Sequence, residues 1–311
     1  MLFDKMPDKN FYFKNRENVK WKCPGLFEHD KALFLLHDIC KELNIQQPIS
    51  FVFGGILSNW NGGRPPQLST ITEKELYEIF KNYNERNITC YLTFSNYNIT
   101  KDELDDKIGN LVCKVMSDLN SNNGVIVTSD LLSNYIREKY PNIKQVASVI
   151  KPHYEAPNFD ETPDYYNKLS ESYDKVCIRP EFNVQIDFLK KLKHKDKIEL
   201  MVNQVCFKKC PIAKTHYDRS AIKTIDELND SNRIRFCQKK SNDIQTYDQH
   251  LNNSAEQIDK IIKLGFYNLK LKGRGASPNT LLSSIIGRYI FDPTGYFPIL
   301  EDYILNKLDI I

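Results

Sequence analysis

Short runs of β-branched and aromatic residues alternate along the chain with longer stretches in which apolar side chains recur every three or four positions. The runs are Ile49–Phe53 (ISFVF), Ile88–Phe94 (ITCYLTF), Gly124–Thr128 (GVIVT), Ile143–Val149 (IKQVASV), Lys175–Ile178 (KVCI), Ile198–Val202 (IELMV) and Phe266–Leu271 (FYNLKL). Each is short and bounded by polar or turn residues, the pattern of parallel strands buried on both faces. Between them, Thr72-x-x-Glu75, Thr100-x-x-Glu103 and Ser254-x-x-Gln257 have the spacing of helix-opening capping boxes. Stripes at helical period accompany them: Leu76, Ile79 and Phe80; Ile258, Ile261 and Ile262; and, in a further stretch, Leu131, Leu132, Tyr135 and Ile136. These stripes predict core-facing helices.

Repeated strand–helix units imply parallel strands joined by right-handed crossovers. Seven strands with helices after most of them predict an α/β fold, a (β/α) TIM-like barrel that is complete or one strand short. No Gly-x-Gly-x-x-Gly follows the first strand and no phosphate-loop motif occurs, which argues against an open nucleotide-binding sheet. Residues 1–48 are expected to form an N-terminal segment and lead-in helix, and residues 49–311 the barrel domain. A cysteine-bearing insertion over 204–253 follows the sixth predicted strand and is too long for a simple turn. The Pro-rich stretch Lys151–Pro163 reads as a loop.

Composition adds exclusions. Of the 311 residues 41% are hydrophobic and 27% charged, enough to bury one substantial core. A net charge of +3 without a concentrated basic stripe gives no nucleic-acid signal. The first residues lack the apolar run of a signal peptide, and no stretch approaches the ~18 apolar residues of a membrane span. The expectation is a cytoplasmic protein, whose eight cysteines are then reduced or metal-bound rather than paired.

In a barrel, functional side chains gather at the C-terminal strand ends. Read there, the sequence offers Asn61 and Arg64, then Asn96, Arg179 with Glu181, Asn203, and finally Lys270, Lys272 and Arg274. This rim of both charge signs suits a polar or anionic substrate, small or carried on a polymer. The run Glu199–Pro211 (ELMVNQVCFKKCP) is sharper, since Cys206 and Cys210 follow a strand directly and flank a Lys-Lys pair that favours thiolates. Thiolates converging in one loop favour Zn²⁺ or an iron–sulfur cluster. Cys237 lies further along the insertion, and Cys23 and Cys177 are the two candidates for a fourth ligand. His216 could complete a Cys₃His zinc site or meet substrate. Ala213 stands where a radical-SAM pattern needs its third cysteine, which removes that reading.

The run KVCIRPEFN…FLKKL…KIELMVNQVCFKKCP, followed by EQIDKIIKLGFYNLKLKGRG, resembles the collagenase-like peptidases, peptidase family U32. GVIVTSDLLSNYIREKYPNIKQVASV is similar to that family's third and fourth strands, so the resemblance spans roughly residues 50–280. It implies a barrel in which Glu181 matches the acidic position, Cys206 and Cys210 the cysteine segment, and Lys270 to Arg274 the late basic motif. There are departures: Pro180 separates Arg179 from Glu181, Lys272 stands where the family has Glu, and the cysteine spacing is tighter. In size and layout the chain resembles the family's ubiquinone-hydroxylation accessory proteins, which carry four-cysteine [4Fe–4S] sites; other members act in oxygen-independent RNA hydroxylation. The resemblance thus implies an Fe–S-dependent enzyme with Cys237 as third ligand. Arg179, Glu181 and His216 would be its catalytic candidates, and a protein of the same family its partner. The alternatives are a peptidase, although no Ser-His-Asp order or His-Glu-x-x-His is present, and a structural zinc barrel acting within a complex.

Overall fold

The computed structural model describes residues 12–13, 16–62, 65–230 and 250–308. Eight parallel strands close into a barrel: β1 (Lys20–Pro24), β2 (Ile49–Gly54), β3 (Thr89–Phe94), β4 (Gly124–Val127), β5 (Lys144–Ala147), β6 (Lys175–Ile178), β7 (Ile198–Met201) and β10 (Asn268–Lys270), the last pairing with both β7 and β1. All seven predicted strands are present, and the barrel is complete. The eighth strand is β1, so the barrel begins well before residue 49, inside the segment expected only to lead in. The remaining two strands, β8 (Asn203–Phe207) and β9 (His250–Asn252), form an antiparallel pair outside the barrel.

The wall of the barrel sorts side chains by alternation. Outward-facing Trp21 and Cys23 of β1, Val176 and Ile178 of β6, and Leu269 and Leu271 around β10 join one large core with the surrounding helices. That core takes in Leu76 and Phe80 of the helix Glu73–Glu85, Leu132 and Ile136 of the helix Asp130–Lys139, and Ile258, Ile261 and Ile262 of the helix Ala255–Lys263. The capping boxes at Thr72, Thr100 and Ser254 all form, so these helices start where their sequences place them. The segment expected as a loop over 151–163 contains one helical turn, Pro152–Glu155, with proline at its first position, where the lost N–H costs nothing.

Inside the barrel a small second core of Phe51, Phe53, Tyr91, Ile126 and Val146 fills one side. Phe51 stacks on Tyr91 with ring centroids 4.2 Å apart. Beside these rings the interior is ionic. Lys22 on β1 stands in register with Lys270 on β10, and Cys177 on β6 with Glu199 on β7.

The segment after β2 returns over the barrel mouth so closely that Gly62 is a steric requirement. A Cβ there would lie 2.4 Å from the carbonyl carbon of Ser95 and 2.5 Å from the Asn96 nitrogen, both backbone atoms that cannot swing away. Gly62→Ala is therefore expected to lose about 1–3 kcal/mol of stability through a forced backbone shift. A urea midpoint equal to wild type would show that the mouth can relax.

Candidate active site at the barrel mouth

The C-terminal ends of the strands enclose a cavity of about 180 Å³. Lys270, Lys272 and Arg274 enter it from the end of β10 and its extension, because alternate residues of an extended chain share a face. Thr93, Ser95, Ser148, Gln204 and Tyr217 supply hydroxyls and an amide, and Phe53, Ile126 and Met201 form an apolar floor. Neighbours fix the cations. Arg274 Nη1 donates to Thr93 Oγ1 at 2.8 Å, and Lys272 Nζ to Gln204 Oε1 at 2.9 Å. Lys270 Nζ sits 4.5 Å from the Phe53 ring centroid and 4.0 Å from Glu199 Oε2. Among the described residues no carboxylate lines the cavity, while three cations do.

Glu199 lies just below, fully buried, and its Oε1 accepts a hydrogen bond from Lys22 Nζ. Burial lowers the Lys22 ammonium to about pH 7, with Lys175 and Lys270 adding repulsion, and Glu199 only partly offsets this. Burial alone would raise the Glu199 carboxyl, but the lysines around it win and hold it below its ordinary range. Sequence reasoning missed this pair, since neither KWKCP nor IELMV signals that its charged residue points inward.

The other predicted residues have different places. Asn203 positions the site without lining it: its Oδ1 accepts from the Lys272 N–H at 2.6 Å and its Nδ2 donates to the Lys272 carbonyl at 2.8 Å. Asn61 is buried and donates to the Ile222 carbonyl at 3.3 Å; Asn96 donates to the Asn59 carbonyl at 2.8 Å, bracing the loop above β2. Glu181 is buried and accepts the Lys209 N–H at 3.1 Å, holding the turn between Cys206 and Cys210. His216 stacks beside Tyr217 on the helix Ala213–Arg219, and Tyr217 is the one that lines the cavity. Arg64 lies outside the described residues.

Arg179, expected at the catalytic rim, is fully buried away from the cavity. Its Nη2 donates to the carbonyls of Pro152 and Ala156, and its Nε lies 2.7 Å from Glu161 Oε1. The strand end predicted rim exposure, but the turn at Pro152–Glu155 folds over it. Burial together with this guanidinium pushes His153 down to about 3.

The cysteines occupy separate layers. Cys23 faces the helices among apolar side chains and burial raises its thiol; Cys177 faces the barrel interior and burial pushes it up to about 12. Neither environment favours a thiolate. Cys206, on β8, and Cys210, beyond its turn, are half-buried near the mouth. Among the described residues no three of His, Cys, Asp and Glu are grouped so as to hold a metal ion. Cys237 lies outside the described residues. The described donors therefore do not make up a four-thiolate or Cys₃His set, because Cys23 and Cys177 sit on opposite faces of the barrel wall.

No helix among the described residues is long and apolar enough to cross a membrane. No protein-family model matches the chain, and no curated protein matches it. Among solved structures, that of the U32 peptidase Mk0906 superposes with a TM-score of 0.52 at 12% identity, covering 85% of this chain and 94% of that one. At that identity the likeness concerns architecture alone, and the chain has the barrel fold of a U32 peptidase.

Proposed function

We propose that the chain is a barrel enzyme of the U32 peptidase type whose mouth binds a small organic anion. One observation carries this reading: Lys270, Lys272 and Arg274 converge on a cavity that no carboxylate lines among the described residues. The apolar floor and ring of hydroxyls leave space for a compact acid, and enzymes on such barrels work at this face. Arg274, anchored to Thr93 through Nη1, carries the planar fork of donors that pairs with carboxylates. A charge-assisted hydrogen bond contributes about 1.5–3 kcal/mol. Arg274→Ala is thus expected to weaken binding of small carboxylates, measured by titration calorimetry, by about 10- to 100-fold. Unchanged affinity would remove the reading.

Peptide hydrolysis, which the neighbour's name suggests, finds less support in the cavity. Ser95 Oγ donates to the Ile126 carbonyl and Ser148 Oγ accepts from the Ile150 N–H, and among the described residues neither hydrogen-bonds a histidine. The iron–sulfur hydroxylation reading rests on the sequence resemblance. It needs Cys237 beside Cys206 and Cys210, and a fourth donor other than Cys23 or Cys177. Iron content with a visible charge-transfer band in anaerobically purified protein, lost in Cys206→Ser, is its test.

A further inference from the structure

Two amines share one carboxylate in the closed interior of the barrel. Lys22 and Lys270 stand in register on adjacent strands, and Glu199 lies between them, with Oε1 bonded to Lys22 and Oε2 at 4.0 Å from Lys270. All three side chains are almost completely buried. A third amine, Lys175, turns aside to the Asp196 carbonyl and Asn268 Oδ1, both at 3.2 Å. Of the three lysines only Lys270 lines the cavity. Its ammonium end makes no hydrogen bond among the described residues and rests on the Phe53 ring. A methionine would fill such a place without a second buried cation. A lysine beside another cation in an apolar pocket is the setting in which an amine becomes a nucleophile.

We propose that Lys270 forms an imine with a carbonyl compound bearing a carboxylate, a 2-oxo acid, whose carboxylate is seated by Lys272 and Arg274. This rests on the anion-site reading above. Glu199 takes one proton from the Lys270 ammonium for the length of the step, while Lys22 stays its ion-pair partner. The freed nitrogen attacks the carbonyl carbon, a nitrogen–carbon bond forms as the carbon–oxygen π bond breaks, and a second nitrogen proton passes to the oxygen. The resulting hydroxyl leaves as water, taking back the proton that Glu199 had accepted. The products are an iminium at Lys270, an unchanged Lys22–Glu199 pair and one water, with charge conserved.

The test incubates the full chain with pyruvate and cyanoborohydride, followed by intact mass and peptide mapping. A single saturable adduct on Lys270 is expected, absent in Lys270→Arg and formed about 100-fold more slowly in Glu199→Gln, which lacks the proton shuttle. Adducts scattered over exposed lysines, equal in wild type and Lys270→Arg, would overturn the proposal, and mapping in the wild-type protein keeps it testable if either variant fails to fold. Calorimetry with succinate, which has no carbonyl to trap, separates the two readings. Succinate binding without an adduct overturns the imine alone; absence of both removes the anion site as well.

Discussion

Glu199→Ala should lower stability by about 3–5 kcal/mol, because it strands a buried lysine without its counter-ion. Glu199 and Lys22 are 0% and 1% exposed, so water cannot replace the lost partner. Replacing both ends, Lys22→Met with Glu199→Leu, should recover most of that loss, since apolar groups of similar volume commonly match or exceed a buried pair. A double variant no more stable than the single would assign the cost to packing rather than charge. The same pair sets a pH dependence. Lys22 is lowered on folding to about 7, so between that pH and the ordinary lysine value of about 10.4 the unfolded chain holds more protons. Stability contributed by this group therefore rises with pH across that window. Glu199, lowered on folding, contributes above its unfolded value of about 4.3 and loses that contribution as pH falls through its folded value. In Lys22→Met the rise between pH about 7 and 10 should flatten.

Arg179→Met should be comparably severe, at about 3–5 kcal/mol, although the side chain is fully buried and does not line the cavity. Its loss frees the carbonyls of Pro152 and Ala156 and leaves Glu161 buried without its guanidinium. The guanidinium also lies 4.2 Å from the Phe159 ring centroid, so one side chain fastens the whole turn over β6. Amide exchange over residues 152–161 should accelerate along with the drop in unfolding midpoint. A variant with native stability would contradict this role and reopen the catalytic one.

The layers of the fold were largely readable because burial leaves a periodic trace. The strands from Ile49 to Leu271 and the helices behind the three capping boxes follow from local pattern alone. β1 was not readable, for a physical reason: KWKCP alternates Lys with Trp and Cys, which reads as a surface segment until Lys22 finds a partner 177 residues away. The same holds for Glu199. Pairing across the barrel leaves no local signature, since strand neighbours in space are far apart in sequence. Lys270, Lys272 and Arg274 were legible as a group lining one cavity, because alternate residues after a strand share one face. Arg179 was not, because only the turn packed above it decides between rim and interior.

Chain leaving the barrel after Met201 comes back across a single short ladder. Asn203 of β8 pairs with Asn252 of β9, and the Asn253 N–H donates to the Val202 carbonyl at 2.8 Å. Exit and re-entry thus sit side by side, and barrel closure does not depend on how much chain lies between them. Closing a longer excursion at such a point costs only about 0.6 kcal/mol per doubling of its length. The stretch that carries Cys206, Cys210 and Tyr217 is in this sense a cartridge: an ancestral barrel could exchange it, lengthen it or trim it while its eight strands stayed in register.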